Sequence, residues 1–247
     1  MTYTLNDVTV VICNWMQTRF TLGAVRNFKK FYPSIPVIVV DDGSNEAKLS
    51  DFDRAYQRPT YCKGERFDND MEALRKGANE IGFTLIECGV HRGPGSANDY
   101  GLDAVKTPLM LTMDNDIRIL EGGLIEEYLT KMTDDVFVVG TTFHETEPPS
   151  EWIDPWFSLW RKEPIKELHL SFTHLVYPVA GRPTFHIGVG AFMYAVMTVD
   201  TLHRNKLYKA VHYPPPEQIK QLCHLKKFPE EKAGDLRYDR WRDLIDG

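Results

Sequence analysis

The sequence has no long apolar run, no excess of positive charge and no cluster of cysteines. Its longest apolar stretch, residues 187–199, is too short to cross a bilayer as a helix. The first residues have neither the basic start nor the apolar segment of a signal peptide. The net charge of −6 argues against general affinity for nucleic acid, which requires a basic face. We therefore expect no transmembrane segment and no nucleic-acid partner.

The few cysteines exclude one class of metal site. Cys13, Cys62, Cys88 and Cys223 are scattered, without a Cys-x-x-Cys pair or the spacing of a zinc finger. Cys13 and Cys88 lie in or beside predicted buried strands, where a free thiol behaves as a small apolar group. Free thiols fit a reducing compartment, so we expect the protein to be cytoplasmic.

What is present is the composition of an ordinary globular domain. The chain of 247 residues is 43% hydrophobic and 26% charged, which is enough apolar surface for a sizeable core. It contains no internal repeat and no low-complexity segment. We expect one domain over residues 1–247.

The first half of the chain alternates predicted strands with predicted helices, beginning with the short β-branched run at residues 8–13. This order gives right-handed crossovers, and it predicts an α/β fold with a mostly parallel, Rossmann-like sheet and helices on both faces. The predicted strands are residues 8–13, 36–40, 84–88, 109–113 and 136–140, and the predicted helices are residues 20–31, 71–81, 96–105 and 123–132.

The second half is less regular. Residues 145–164 are rich in proline and tryptophan, and we interpret them as a loop with a short helix. Residues 185–199 predict one or two strands, in which two glycines allow a close backbone approach. Residues 217–226 predict a helix that precedes a polar tail.

Acidic residues follow two of the predicted strands. Asp41 and Asp42 come after the second strand, and Asp114 and Asp116 come after the fourth. In open α/β sheets, ligands bind at the carboxyl ends of the strands. Clustered carboxylates repel one another and persist together when a cation compensates them. Either pair alone is also a good turn or helix cap, but two pairs at neighbouring strand ends favour a Mn²⁺ or Mg²⁺ site.

Four segments resemble glycosyltransferase family 2: residues 8–14, the Val-Val-Asp-Asp-Gly-Ser turn at 39–44, residues 91–101, and Met-Asp-Asn-Asp at 113–116. The resemblance covers about residues 7–120. It implies the GT-A fold, in which residues 1–120 form a nucleotide-sugar-binding half and residues 121–247 a smaller acceptor-side half.

The resemblance also implies roles for individual residues. Asp41 would contact the nucleobase, and Asn14 and Trp15 would line the base and ribose pocket. The metal would be held by Asp114 and Asp116, with His186 as a further candidate, although most histidines are not ligands. The implied donor-binding set is Asn14, Trp15, Asp41, Asp42, Arg92, Gly93 and Asp114.

The implied reaction transfers a sugar, of the hexosyltransferase type, from a nucleotide-diphosphate donor to a hydroxyl of a glycan or other acceptor. We expect a UDP-sugar first and a GDP-sugar second. Mn²⁺ or Mg²⁺ would neutralise charge on the leaving diphosphate. Members of this family usually invert the anomeric centre, which requires a carboxylate as general base.

The sequence departs from the family pattern at two places. An Arg-Asn pair usual in the helix after the glycine turn is here Asn98-Asp99, and the Glu-Asp pair that commonly supplies the base is missing. Glu217 and Asp200 are our candidates for the base, with Asp154 weaker. Glu217 also suits the start of a helix, where an acid interacts with the helix dipole.

The tryptophans at 152, 156 and 160 have the spacing of one helix face. Such a stripe commonly packs in a core, and it also suits stacking on an acceptor sugar. Between the two acidic pairs, residues 54–70 have the character of an insertion.

Other functions fit less well. A sugar-nucleotide pyrophosphorylase would carry a glycine-rich basic loop after its first strand, where this chain has Cys13-Asn-Trp-Met-Gln17. A dinucleotide-dependent oxidoreductase would have Gly-x-Gly-x-x-Gly there. The remaining alternative is a GT-A-like module that binds a nucleotide sugar or a glycan without turnover, since the missing Glu-Asp pair fits that reading.

Overall fold

A computed structural model describes residues 2–44, 70–142, 153–167, 171–172, 177–179, 182–184, 209–214 and 218–224. Its strands are β1 (Val8–Asn14), β2 (Val37–Asp41), β3 (Thr84–Glu87), β4 (Leu109–Met113), β5 (Ile117–Ile119), β6 (Val136–Thr142), β7 (Ile153–Arg161), β8 (Tyr177–Val179), β9 (Arg182–Thr184), β10 (Lys209–Tyr213) and β11 (Leu222–His224). Its helices are α1 (Thr18–Phe31), α2 (Met71–Gly77), α3 (Pro94–Ala104), α4 (Leu124–Lys131) and α5 (Lys162–Glu167). A 3₁₀ turn (Leu5–Asp7) precedes β1, and a π-helical turn (Ala78–Gly82) extends α2.

The core of the fold is a seven-stranded sheet with the order β10-β6-β7-β4-β1-β2-β3. Only β7 runs antiparallel to its neighbours β4 and β6, while the other described pairs in this sheet are parallel. Strand β1 lies between β4 and β2 and is almost wholly buried, which explains its continuous β-branched sequence. The predicted mostly parallel sheet is confirmed.

Helices cover both faces of this sheet, as the sequence predicts. On one face Val10 and Ile12 pack in a cluster with Phe28 of α1. On the other face Val11 packs in a cluster with Ala97 and other residues of α3. The alternation along β1 follows from the two-residue repeat of a strand, which sends successive side chains to opposite faces.

Two predictions for the second half are wrong. Residues 153–161 form β7 rather than a loop and helix, because they insert between β4 and β6 and pair with both. A short helix, α5, does occur, but it follows β7 and lies mostly beyond the range in which we expected one. Residues 218–224 form a turn and β11 rather than a helix, because β11 pairs antiparallel with β5. Residues 185–199, predicted as strands, lie outside the described residues, as does nearly all of the insertion at 54–70.

The predicted tryptophan helix face is therefore also wrong. Trp156 and Trp160 lie on β7, and Trp152 lies outside the described residues. Trp160 is fully buried, donates a hydrogen bond from Nε1 to Thr112 Oγ1 at 3.0 Å and packs edge-on against Phe172. It is a core residue, whereas Trp156 is half-buried near the carboxyl end of β4. Among the described helices, none is long and apolar enough to cross a membrane.

Gly101 sets how closely α3 approaches β1. A Cβ atom at this position would lie 2.3 Å from Cγ1 of Val11, far inside van der Waals contact. Val11 is fully buried and β-branched, so it has little freedom to move away. The absence of a side chain at Gly101 therefore lets α3 pack against the strand that leads to Asn14.

We expect Gly101→Ala to destabilise the fold by about 1–3 kcal/mol, the usual cost of overpacking a core. Urea unfolding measures the change. Gly89→Ala is the matched control, since a Cβ at Gly89 meets nothing within 4 Å. We expect the control to change stability by less than about 0.5 kcal/mol. Equal effects of the two substitutions would contradict this account of helix packing.

Candidate active site

The polar residues singled out in the sequence meet at one edge of the sheet. Strand β1 ends at Asn14, which pairs in register with Asp41 at the end of β2. On the other side of β1, strand β4 ends at Met113, just before Asp114. The two acidic pairs are therefore not on adjacent strands but flank β1 from both sides.

Asn14 connects the segments on either side of it. Its Nδ2 donates to Asp41 Oδ1 at 2.7 Å and to Ser44 Oγ at 3.3 Å. Its Oδ1 accepts a hydrogen bond from Thr21 Oγ1 of α1 at 2.7 Å. Thr21 Oγ1 in turn accepts from Asn115 Nδ2 at 3.2 Å. Asn14, which is 1% exposed, thus joins the turn after β2, helix α1 and the segment after β4.

Asp41 organises the turn that follows β2. Its carboxylate accepts hydrogen bonds from Ser44 Oγ at 2.5 Å and from Ser44 N at 3.1 Å, in addition to the one from Asn14. Ser44 Oγ also accepts from the backbone N–H of Met16 at 2.8 Å. These contacts fix the turn after β2 against the turn after β1.

Gly43 allows this turn to pack against the loop after β3. It has a φ of +71°, and a Cβ there would lie 2.4 Å from the backbone nitrogen of His91. Both the backbone conformation and the close approach require glycine. The Asp-Asp-Gly-Ser turn and the loop at residues 90–93 are therefore in direct backbone contact.

Asp42 holds that loop through its carboxylate. It accepts hydrogen bonds from the backbone N–H groups of Gly93 at 2.7 Å and Arg92 at 3.1 Å. His91 Nδ1 lies 2.6 Å from Asp42 Oδ2. The carboxylate is 2% exposed, so these donors replace water around its charge.

His91 also forms an aromatic pair with Trp15. The two rings are stacked, with centroids 4.3 Å apart and planes 13° apart. Both residues are half-buried, at the edge where β1 and β3 end. Sequence reasoning did not choose His91 as a site residue. Its position after a predicted strand, directly before Arg92 and Gly93, was the available signal.

The acidic segment after β4 is a tight turn. The backbone N–H of Asp114 donates to the carbonyl of Trp156 at 2.9 Å, and that of Ile117 donates to the carbonyl of Asp114 at 3.1 Å. Asp114 is half-buried, while Asp116 is fully buried. The turn is held against α1 by the hydrogen bond from Asn115 to Thr21.

The pKa of Cys13 is affected by acids on both sides of β1. Burial raises the pKa of this thiol well above its ordinary value, and the charges of Asp114 and Asp42 raise it further. The two carboxylates come from opposite sides of β1, since Asp42 follows β2 and Asp114 follows β4. The thiol donates to Asn98 Oδ1 at 3.4 Å, and its raised pKa disfavours the thiolate that a nucleophile requires.

Arg118 lies directly behind the acidic turn, and sequence reasoning did not identify it. The residue is fully buried on β5. Burial lowers the pKa of its guanidinium to about 10, and the charge of Asp116 acts in the opposite direction. A charged residue between two isoleucines was the only signal in the sequence.

The residues present fit a divalent cation of the Mg²⁺ or Mn²⁺ type. Asp114 and Asp116 offer carboxylate oxygens, which these hard ions prefer. In the parts of the chain that the structure describes, no three His, Cys, Asp or Glu side chains are grouped to hold a metal. Such ions are usually bound by one or two carboxylates together with substrate phosphates, so two carboxylates are sufficient.

Three predicted site residues lie outside the described residues: His186, Asp200 and Glu217. Of the others, Arg92 is exposed at the rim of the site, and Gly93 has a φ of +95° at the start of α3. The structure thus brings together Asn14, Trp15, Asp41, Asp42, Arg92, Gly93, Asp114 and Asp116 at the carboxyl ends of β1 to β4.

The Asn98-Asp99 pair, where the family pattern has Arg-Asn, takes part in internal packing. Asn98 accepts the hydrogen bond from Cys13. Asp99 accepts from Ser171 Oγ at 2.5 Å and from the backbone N–H of Phe172 at 2.8 Å. Asp99 therefore anchors the segment whose Phe172 packs against Trp160.

We expect Asp42→Ala to speed amide hydrogen exchange at Arg92 and Gly93 by about tenfold or more, since a hydrogen bond to a charged acceptor is worth about 1.5–3 kcal/mol. The Val10 amide, which lies on the central strand and donates to the carbonyl of Pro36, reports global stability and should change less. Asp103→Ala, at an exposed position of α3, is the control. Unchanged exchange at residues 92 and 93 in the Asp42 variant would show that this carboxylate does not hold the loop.

Comparison with known families gives one match. Residues 9–186 match the model of the family described as Glycosyl transferase family 2. This range includes every described residue of the site. A comparison with curated proteins finds no significant match.

Solved structures share the fold. A mannosyltransferase from Pyrobaculum calidifontis, in complex with GDP-Man and Mn²⁺, is similar over 84% of this chain and 55% of its own, with 16% sequence identity and a TM-score of 0.54. A mycobacterial protein is similar over 86% of this chain and 69% of its own, with 14% identity and a TM-score of 0.50. At these identities the likeness establishes the GT-A fold. The chain spans about half the length of the mannosyltransferase.

Proposed function

The chain belongs to glycosyl transferase family 2, and from this premise we propose that it transfers a sugar from a nucleotide-diphosphate donor to an acceptor hydroxyl. The observation that carries the proposal is the placement of acids on both sides of β1: Asp42 follows β2, Asp114 follows β4, and both strands pair in parallel with β1. A sheet edge with carboxylates on both sides of its central strand suits a ligand that brings a cation and phosphates together.

The nucleotide would lie across the ends of β1 and β2. Trp15, stacked on His91 and half-buried, offers an aromatic surface beside the base and ribose. Asp41 and Asn14 would line the base pocket, with their hydrogen bonds fixing its shape. Arg92 is an exposed residue of the loop that Asp42 anchors, and its guanidinium, which donates to Tyr100 Oη at 3.4 Å, would contact the donor.

The diphosphate would lie at the end of β4. Asp114 and Asp116 would hold Mn²⁺ or Mg²⁺, and the ion would supply Lewis acidity that neutralises charge on the leaving nucleoside diphosphate. The protein's own contribution is orientation, because the turn at residues 114–117 is fixed by backbone hydrogen bonds to β7 and within itself. Fixed groups stabilise developing charge without a cost of reorganisation at the moment of reaction.

The acceptor would approach from the side of β7. This strand is antiparallel to β4, so it begins at the edge where β4 ends. Trp156 is half-buried there, and its carbonyl accepts the hydrogen bond from the Asp114 amide. We propose that the Trp156 ring stacks on an acceptor glycan, a surface on which sugars bind well.

A UDP-sugar is our first candidate for the donor and a GDP-sugar the second. The similar mannosyltransferase was solved with GDP-Man and Mn²⁺, which keeps the second candidate in view. We propose inversion at the anomeric carbon, with a carboxylate that takes the proton of the acceptor hydroxyl.

The second candidate function is a binding module that holds a nucleotide sugar without turnover. One observation favours it: Asn98 and Asp99 replace an Arg-Asn pair, and both are committed to internal hydrogen bonds. Release of free nucleotide from a bound donor separates the two functions, since only a transferase or a slow hydrolase produces it.

A thermal-shift screen tests the donor site. We expect one class among UDP-, GDP-, CMP- and dTDP-sugars to raise the melting temperature, and only with Mn²⁺, because the ion would hold the diphosphate. A ligand at 100 times its Kd stabilises the folded state by about 2.7 kcal/mol, so the shift is measurable. Asp116→Ala and Asp114→Ala should lose the Mn²⁺-dependent part of the shift. Asp103→Ala, on the exposed side of α3, should keep it. An Asp116 variant with undiminished Mn²⁺ dependence would refute the metal role.

The general base has a separate test. If Glu217 or Asp200 takes the acceptor proton, Glu217→Gln or Asp200→Asn should lower kcat by about 10²–10⁴-fold. Donor binding in the thermal-shift screen should not change, because the base acts on the acceptor. Full kcat in both variants would exclude both residues.

A further inference from the structure

Arg118 is a charged residue that lies fully buried in the interior of the protein. It lies two positions after Asp116, and the two residues are both 0% exposed. Long charged side chains are almost never fully buried unless they are paired. Burying a guanidinium is costly unless hydrogen bonds and an opposite charge compensate it. The partners of Arg118 therefore indicate what it does.

The guanidinium of Arg118 bonds to the backbone on both sides of Asp116. Nη1 of Arg118 donates to the carbonyl of Asn115 at 2.8 Å and to the carbonyl of Ile117 at 2.9 Å. These carbonyls belong to the residues immediately before and after Asp116. A single nitrogen thus fixes the backbone on both sides of the acid, and the position of the carboxylate follows from that backbone.

The same guanidinium also bonds to helix α1, which follows Trp15 in the chain. Nη2 donates to the carbonyl of Phe20 in the first part of α1 at 3.0 Å. Helix α1 begins just after Trp15 and carries Thr21, which bonds to Asn14. Arg118 and the Asn115–Thr21 hydrogen bond are therefore two parallel connections between the acidic turn and α1.

Asp116 and Arg118 lie two residues apart and are both fully buried, so water screens the interaction of their charges little. The charge of Asp116 opposes the effect of burial on the pKa of the Arg118 guanidinium. On the other side, Arg118 pairs in register with Cys223 of β11. The pKa of that thiol is raised, mainly by burial, so it carries no negative charge at neutral pH.

We propose that Arg118 is a positioning residue for Asp116: its guanidinium holds the backbone on both sides of the acid and places a buried positive charge two residues away, so that the carboxylate is oriented before the cation arrives. The link to metal binding rests on the proposed function, since it assumes that Asp116 is a metal ligand. The charge pairing itself does not depend on that assumption.

A double-mutant cycle in urea, without metal or nucleotide, tests the pairing. Asp116→Asn is measured in three backgrounds: the native chain, Arg118→Lys, which keeps the charge, and Arg118→Gln, which removes it. We expect Asp116→Asn to increase the unfolding constant in the first two backgrounds. In the Arg118→Gln background, Asp116→Asn should decrease the unfolding constant or leave it unchanged. The effect of Asp116→Asn on the unfolding constant should therefore differ at least tenfold between this background and the other two.

A role limited to donating hydrogen bonds to carbonyls would not produce this pattern. The proposal is overturned if Asp116→Asn has the same effect, within threefold, in all three backgrounds. Should Arg118→Gln fail to fold, folding of the double variant Asp116→Asn with Arg118→Gln supports the pairing. A double variant that also fails to fold overturns it.

Arg161→Gln is the matched control for the cycle. It is another buried arginine, 8% exposed, and its Nη1 also donates to backbone carbonyls, those of Asp134 and Val136. Its carboxylate partner is Glu163, on α5. We expect its effect to be additive with Asp116→Asn, because residues without shared partners do not couple.

A second measurement connects Arg118 to metal binding. Mn²⁺ affinity is followed by electron paramagnetic resonance in the presence of a nucleoside diphosphate. We expect Arg118→Lys to weaken Mn²⁺ binding by about tenfold or more, as replacement of residues behind a metal ligand typically does. Arg161→Lys should leave it unchanged. If Arg118→Lys binds Mn²⁺ with the affinity of the native protein, the orienting role is contradicted. If the native protein itself does not bind Mn²⁺, the proposed function is contradicted, and the urea cycle alone tests the charge pairing.

Discussion

The structure of the site depends on the side chain of Asn14, at the end of the central strand. One amide group bonds to the turn after β2 through Asp41 and Ser44, and to α1 through Thr21. Thr21 extends the connection to the turn after β4. Because these segments come from distant parts of the sequence, the amide fixes relative positions that no local preference could set. A buried polar network of this kind specifies one arrangement when all its members are bonded.

The same edge collects several carboxylates, and the fold compensates them by different means. Asp41 accepts hydrogen bonds from Asn14 and Ser44, Asp42 accepts them from the amides of residues 92 and 93, and the carbonyls on both sides of Asp116 accept from the buried guanidinium of Arg118. These groups are held in position by the protein itself. Such preorganisation suits a site that must stabilise charge developing on a leaving diphosphate, since fixed dipoles need not rearrange.

The sequence predicts the parts of this arrangement that depend on local patterns. Buried parallel strands have short, continuously apolar runs, which are rich in β-branched residues in β1 and β2 and in leucine and methionine in β4, so these strands and the acids that follow them were identified. Strands β7 and β11 were missed because their conformation comes from pairing with β4, β6 and β5, which are distant in sequence. His91 and Arg118 were missed for a related reason: their contacts, with Trp15 and Asp42 and with the backbone around Asp116, form only in the folded chain, and the signals in the sequence did not specify them.

The most direct test of the account is a crystal structure of the protein with a UDP-sugar and Mn²⁺. We predict the diphosphate at the carboxyl ends of β1, β2 and β4, with the ion about 2 Å from an oxygen of Asp116, the distance usual for small hard cations. The base should lie beside Trp15. A nucleotide bound elsewhere on the sheet, or an ion that contacts neither Asp114 nor Asp116, would contradict the account.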